Sequence, residues 1–188
     1  MLEDCLEARF EFTGCKIALI CEGQILTILR DDKETIPYPN MWDLPGGGRE
    51  GNETPFECVA REVYEELNIQ LSKEEVIWSG IYPSMLDGNK KSVFLVGQLT
   101  QEQFESIVFG DEGQSYKLVS LEEFLTSDRV VPQLQERVRD YVEGNVAEPV
   151  LTMTSLDEDV KRKLENGQYS REEAQAIYED FLRMKKRK

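Results

Sequence analysis

Hydrophobic and polar positions alternate early in the chain, where Leu6, Ala8, Phe10 and Phe12 are separated by Glu7, Arg9, Glu11 and Thr13. A two-residue period predicts a half-buried β-strand, because successive strand side chains point to opposite faces. Apolar runs at 16–21 and 24–29 then flank Glu22 and Gly23, the spacing of a β-hairpin. Residues 31–40 are polar and include Pro37 and Pro39, so a loop is expected before a short strand at 41–44. That strand runs into Pro45 and three glycines, a loop composition that suits close approach of the backbone to something else.

The period then lengthens. Phe56, Val59, Ala60, Val63 and Leu67 recur at three- and four-residue steps, which predicts an amphipathic helix. Thr54 can cap it, Pro55 fits its first position, and Glu57 completes a capping box with Thr54. Further strands are expected at 76–82, 92–97 and 116–119, with helices near 121–125 and 131–142. Beyond the polar stretch 143–145, Ser155 with Glu158 and Ser170 with Glu173 form two more capping boxes, each opening an amphipathic segment. The expected organisation is an α/β domain over 1–144 and a C-terminal helical extension over 145–188. That extension is read as a helical hairpin that either packs back on the domain or forms a homodimer contact. The final Lys185-Lys-Arg-Lys188 fits the negative end of a helix dipole.

Charge narrows the range of partners. With 22 Lys and Arg against 37 Asp and Glu, the formal charge is −15, which repels nucleic-acid backbones and anionic membranes. Stable binding to either is not expected, whereas divalent cations can bridge carboxylates to the phosphates of a small molecule. The chain has no histidine, which excludes a Ser-His-Asp triad, a Cys-His dyad and imidazole zinc sites. Cys5, Cys15, Cys21 and Cys58 show no C-x-x-C spacing and read as reduced, mostly buried thiols, with Cys58 a packing residue rather than a nucleophile. Residues 1–7 carry no basic region followed by an apolar run, and no stretch approaches ~18 consecutive apolar residues, so a soluble cytoplasmic protein is expected.

Glu62, Glu65 and Glu66 project from one side of the 54-capped helix. Neighbouring carboxylates repel one another unless solvent screens them or a cation neutralises them, and the glycine segment just upstream favours the cation. From Gly47 the chain runs five residues to Glu53, seven more to Arg61, and then Arg61-Glu62-Val63-Tyr64-Glu65-Glu66-Leu67-Asn68-Ile69. This resembles the Nudix box at every defined position except Asn68, which stands where the pattern has glycine. Asn tolerates the left-handed backbone that glycine would adopt there. Trp42-x-x-Pro45-Gly46-Gly47 resembles the family's lead-in.

The resemblance implies an α/β fold, a Nudix-type α/β/α sandwich around a mixed sheet, over roughly residues 6–142. It implies Mg2+, with Mn2+ as a substitute, held by Glu62, Glu65, Glu66 and the Gly46 carbonyl. It implies that Glu53 orients Arg61 by a salt bridge. Glu65, Glu66 or a glutamate from a later loop would take the proton of the attacking water, and Glu112 in Gly110-Asp-Glu-Gly-Gln114 is the match for that later glutamate. That segment also resembles the MutT-type branch, which hydrolyses nucleoside triphosphates. In that branch Arg30 corresponds to a phosphate-contacting arginine and Asp128 to a residue that reads the base. Tyr38, Trp42 and Tyr82 are candidates to stack a base, although Trp42 also suits a core position. The expected substrate is a nucleotide-like small molecule. ADP-ribose, suggested by Pro83, and nucleotide sugars are the alternatives, and a catalytically silent nucleotide sensor is disfavoured by the intact box.

Overall fold

A computed structural model of the chain describes residues 2–7 and 9–144. The expected C-terminal hairpin therefore lies outside the described residues. The chain opens with helix α1 (Leu2–Glu7), which corrects the strand expected from Leu6 onward. Leu2, Cys5 and Leu6 fall at helical spacing and all contact the larger core cluster. Residues 9–13 form no strand, yet Phe12 is buried and Glu11 exposed. Alternation reports which side of a segment faces the core, and not whether a neighbouring strand is available to pair with it.

Strands β1 (Gly14–Cys21) and β2 (Gln24–Leu29) form the expected hairpin. Its turn is made by Glu22 and Gly23 with φ of 48° and 80°, the positive values that a two-residue hairpin turn requires. The two strands pair near the turn, at Ile20 with Ile25 and Cys21 with Gln24. Toward the open end each takes a different neighbour. β3 (Trp42–Asp43) pairs with β2, and β4 (Gly46–Gly48), a short strand where a glycine loop was expected, pairs with β1. The hairpin is thus splayed, with residues 42–48 set into the gap.

Helix α2 (Pro55–Leu67) starts at the capping box, where Glu57 N–H donates to Thr54 Oγ1 and Thr54 N–H donates to Glu57 Oε2. It ends at Asn68, whose φ of 57° and ψ of 29° are left-handed. β5 (Val76–Pro83) and β6 (Lys91–Gln98) form a second antiparallel pair, and β6 runs parallel to β1. A short helix α3 (Gln101–Glu105) precedes β7 (Ser115–Ser120), which pairs with β2, and α4 (Leu121–Thr126) and α5 (Pro132–Val142) follow.

Alternate residues of the central strands feed two separate cores. Ile17, Leu19 and Leu95 pack with Val59, Val63 and Leu67 of α2, while Ala18, Phe94 and Val96 pack with Phe124 of α4 and Leu134 and Val138 of α5. Each fully buried aliphatic or aromatic side chain contributes roughly 1.5–3 kcal/mol, so both faces of the sheet are strongly specified. Helices on both faces of a mixed sheet make the α/β/α sandwich. No helix among the described residues is long and apolar enough to cross a membrane.

Candidate active site

The splayed end of the hairpin opens into a cleft of about 1010 Å³. One wall combines β4 with α2. Gly46 N–H donates to Glu66 Oε2 at 2.9 Å. At Gly46, φ is +117° and a Cβ would lie 2.3 Å from the Cys15 carbonyl oxygen, and at Gly47 a Cβ would meet Glu62 Oε2 at 2.5 Å. Gly46 needs glycine, because its φ is left-handed and the β1 backbone occupies the space of a side chain, whereas a side chain at 47 would only displace the Glu62 carboxylate.

Arg61 ties this wall together. Its Nε and Nη2 donate to Glu53 Oε1 and Oε2 at 2.8 and 3.1 Å, a paired contact that fixes the guanidinium plane. Nη2 also donates to the Gly48 carbonyl at 2.8 Å, while Nη1 reaches Glu62 Oε1 at 2.8 Å and Glu65 Oε2 at 3.2 Å. The guanidinium holds the Glu53 carboxyl below its ordinary range. Burial raises Glu62, with Arg61 acting against the rise, and burial pushes Glu66 up to about 7 despite Lys16 and the Gly46 N–H.

Among the described residues, no three Asp, Glu or Cys side chains are drawn together as a metal cage. Glu62 and Glu65 turn to Arg61, and Glu66 turns to the Gly46 amide. The donor chemistry nevertheless fits a hard divalent cation, since the wall offers carboxylate and main-chain oxygens and no imidazole, and its thiols, Cys15 and Cys58, are buried with their pKa raised by desolvation. The partly buried Glu66 carboxylate, disfavoured in its charged form by desolvation, is also what a nearby cation would stabilise.

The opposite part of the cleft carries a second charged cluster. Asp43, 3% exposed, accepts bonds from Lys16 Nζ at 3.2 Å, from Arg30 Nη1 and from Leu44 N–H at 2.7 Å. Arg30 Nε further donates to the Pro37 carbonyl at 2.9 Å. The loop bearing Glu112 borders the same cleft and is fastened on two sides. Gly110 N–H donates to the Glu66 carbonyl at 2.8 Å, and Gln114 Nε2 to the Arg30 carbonyl at 2.6 Å. Glu112 itself is exposed, and its charge reaches Lys33.

The NUDIX domain family matches residues 16–141, which hold every element of both walls. The chain belongs to the Nudix family. Its Nudix domain is similar to a MutT-like protein of Streptomyces ambofaciens at 40% identity over 73 residues, 39% of this chain and 42% of that one. Diphosphoinositol polyphosphate phosphohydrolase 3-alpha of Mus musculus is 29% identical over 84 residues, covering 43% of this chain and 50% of that protein. The match thus spans half or less of these curated relatives. Among solved structures, a MutT protein from Methanosarcina mazei Go1 superposes with a TM-score of 0.56 at 22% identity, covering 74% of this chain and 99% of that one. A bifunctional NMN adenylyltransferase/ADP ribose pyrophosphatase from Francisella tularensis, complexed with AMP and a Mn ion, gives 0.53 at 24% identity, with 73% and 43% covered. At these identities the structures share the fold.

Within this Nudix domain, the residues nominated from sequence do not all meet. Gly46, Arg61, Glu62, Glu65, Glu66, Arg30, Tyr38 and Glu112 line the cleft, and Glu53 stands behind Arg61. Trp42 lines a separate cavity of about 240 Å³, where Lys117 lies 4.6 Å from its ring. Asp128 is exposed in the turn between α4 and α5 and lines neither cavity. The Tyr82 hydroxyl donates to Asp140 at 3.0 Å and its ring packs on Phe94. Cys58 is fully buried with its thiol pushed up to about 12, which fits a packing role. Sequence reasoning missed three residues that line the cleft, Lys16, Asp43 and Arg137. The available signal for Arg137 was its position in α5, three residues after Leu134 and beside Val138, where a charge interrupts the apolar stripe.

Proposed function

We propose that this Nudix domain is a divalent-metal-dependent pyrophosphohydrolase that cleaves a phosphoanhydride bond in a nucleoside triphosphate or another nucleoside-diphosphate derivative. The observation that carries this reading is the wall in which Arg61, held by Glu53, joins the glycine segment to Glu62 and Glu65 beside Glu66. Glu62, Glu65, Glu66 and the Gly46 carbonyl would hold Mg2+ or Mn2+, which supplies charge neutralisation at phosphate oxygens and a lowered pKa for the attacking water. Glu53 keeps Arg61 in place when the Glu62 and Glu65 side chains turn from it toward the cleft. Glu112, on its fastened loop, is the carboxylate proposed to take the water proton, with Glu65 and Glu66 as alternatives. Lys16 and Arg30, both bound to Asp43, face the substrate phosphates across the cleft.

The MutT-like relative supports nucleoside triphosphates as the first substrate class to test. A cleft of about 1010 Å³ also favours a second reading, since it stands at the upper end of small-molecule pockets and has room for ADP-ribose or a nucleotide sugar. The proposed setting is cytoplasmic, without stable nucleic-acid or membrane binding.

The test is release of pyrophosphate or phosphate from dGTP, 8-oxo-dGTP, dATP, ADP-ribose, nucleotide sugars and diadenosine polyphosphates, with Mg2+ and with chelator. Metal-dependent turnover is expected, and Glu66→Gln is expected to lower kcat by at least ~100-fold, more than loss of a supporting contact around a metal site. A folded protein that binds nucleotides but turns over no member of the panel would replace the hydrolase with a nucleotide sensor.

A further inference from the structure

Six basic residues line the cleft, and five of them have a carboxylate partner. Lys16 and Arg30 pair with Asp43, Lys33 with Asp31, Arg49 with Glu11, and Arg61 with Glu53. Arg137 of α5 is the exception among the described residues. It is 3% exposed, and its Nη2 donates to the Pro83 carbonyl and to Ser92 Oγ, each at 3.0 Å. Its guanidinium carbon lies 4.9 Å from the centre of the Tyr82 ring. A carbonyl, a hydroxyl and a ring are all neutral partners. No carboxylate among the described residues lies within ion-pair distance of it; burial lowers its pKa and outweighs Glu136 and Asp43, which act on it only from farther off. A buried guanidinium without a contacting counter-charge is expensive to maintain, because desolvation is not repaid by an ion pair. Replacing it with an apolar residue on this stripe would remove that cost, so its presence beside a cleft points to an anion supplied from outside the chain.

The location defines which part of a ligand it meets. Pro83 ends β5 and Ser92 lies at the start of β6, and β6 pairs with β1 on the side away from β2, whose end carries Arg30. The Arg30 and Asp43 cluster and the Arg137 pocket therefore sit on opposite sides of β1, at the same end of the sheet. A ligand that spans them presents two separate anionic groups.

We propose that Arg137 is a substrate-binding residue that receives a phosphate group lying outside the scissile anhydride. This assignment deepens the hydrolase reading and rests on it for the identity of the cleft. It selects, among anhydride substrates, those with an additional phosphate on the nucleoside or on the group joined to it.

Binding of matched pairs to the full chain tests it, read by calorimetry in chelator and again with Ca2+, so that turnover plays no part. NAD+ with NADP+, and dephospho-coenzyme A with coenzyme A, differ by one ribose phosphate at the 2′ and 3′ positions. At least one phosphorylated member is expected to bind wild type about 10-fold tighter than its partner, the scale of a charge-assisted contact. In Arg137→Gln the preference should fall to within about 2-fold, and Arg137→Lys should keep part of it, since a point charge replaces a fork. Ser92→Asp provides the missing carboxylate inside the chain and should abolish the preference while leaving the fold intact by circular dichroism, which carries the test if Arg137→Gln does not fold. Absence of preference in wild type for both pairs would overturn the proposal, as would a preference that survives in a folded Arg137→Gln or Ser92→Asp protein. Preference without turnover on any substrate would instead remove the hydrolase and leave Arg137 as an anion site.

Discussion

Helices α2 and α5 lie on opposite faces of the sheet, yet each sends one arginine to the cleft, and the two are treated differently. Arg61 of α2 donates to Glu53, Glu62, Glu65 and the Gly48 carbonyl, so every direction of its fork is used within the chain. Arg137 of α5 is more deeply buried and meets neutral partners. A saturated arginine can position other groups but has little left for a ligand. A buried arginine with no carboxylate in contact, and only the more distant charges of Glu136 and Asp43 acting on it, is suited to receive an anionic one. The acidic wall thus directs its arginine inward to carboxylates, whereas the α5 side leaves its arginine on neutral partners.

The largest effect that would break this contrast is expected at Glu66, where charge is stored unfavourably on the α2 side. Its folded-state carboxyl titrates near 7 against an ordinary value of 4.5, because burial opposes ionisation. The native state then binds more protons than the unfolded state between these values, so stability falls as pH rises from 4.5 to 7 and is flat above. Glu66→Gln removes that penalty. In chelator at pH 8 the variant should be more stable than wild type by at most about 3 kcal/mol, converting the shift at 1.36 kcal/mol per unit. The gain should vanish near pH 4.5, and Mg2+ should stabilise wild type but not the variant. Urea unfolding at pH 5 and pH 8 measures it, and a variant less stable than wild type at pH 8 in chelator would show that Glu66 is satisfied without a cation.

A smaller effect sharpens the contrast between a supporting and a receiving arginine. Glu53→Gln weakens one side of the Arg61 fork and should lower Mn2+ affinity or kcat about 10–100-fold, as expected for contacts that orient metal ligands. Arg137→Gln should leave Mn2+ affinity unchanged. Calorimetric titration with Mn2+ separates them, and equal losses in both variants would mean that the two arginines belong to one network.

Much of this was legible in the chain, for identifiable reasons. The Thr54 box, the apolar stripe through Leu67 and the αL-tolerant Asn68 are local signals, and local signals fixed α2 to the residue. The Glu53–Arg61 contact, eight residues apart, was legible through the resemblance to the Nudix box and not from any local signal. The 6–13 strand failed because alternation there reflects Phe10 and Phe12 turning to the core without a ladder, while the Leu2, Cys5 and Leu6 spacing that makes α1 spans barely two turns. α3 was signalled by Thr100 and Gln103, a capping box too short in its apolar stripe to stand out. Asp43 and Lys16 were hidden because their pairing joins β3 to β1 across the splayed hairpin, a geometry that no sequence period reports.

The smallest expected effect lies at the end of α2, where the chain departs from the family's glycine. Asn68 holds φ at 57° and its N–H donates to the Tyr64 carbonyl at 2.8 Å, closing the helix two residues after Glu66. Glycine adopts this conformation without strain but loses more chain entropy on folding, so Asn68→Gly should change stability by no more than ~0.5 kcal/mol. Alanine lacks the local hydrogen bonding that lets Asn enter the left-handed region, and Asn68→Ala should cost about 1–2 kcal/mol. Both variants should keep the kcat of wild type per folded molecule, because the position of Glu66 is also fixed from the other side, where Gly110 N–H binds its carbonyl. Thermal unfolding and turnover, measured together, check this. A stable Asn68→Gly protein with lowered kcat would mean that the Asn side chain, and not the turn it permits, holds the acidic wall in register with the Glu112 loop.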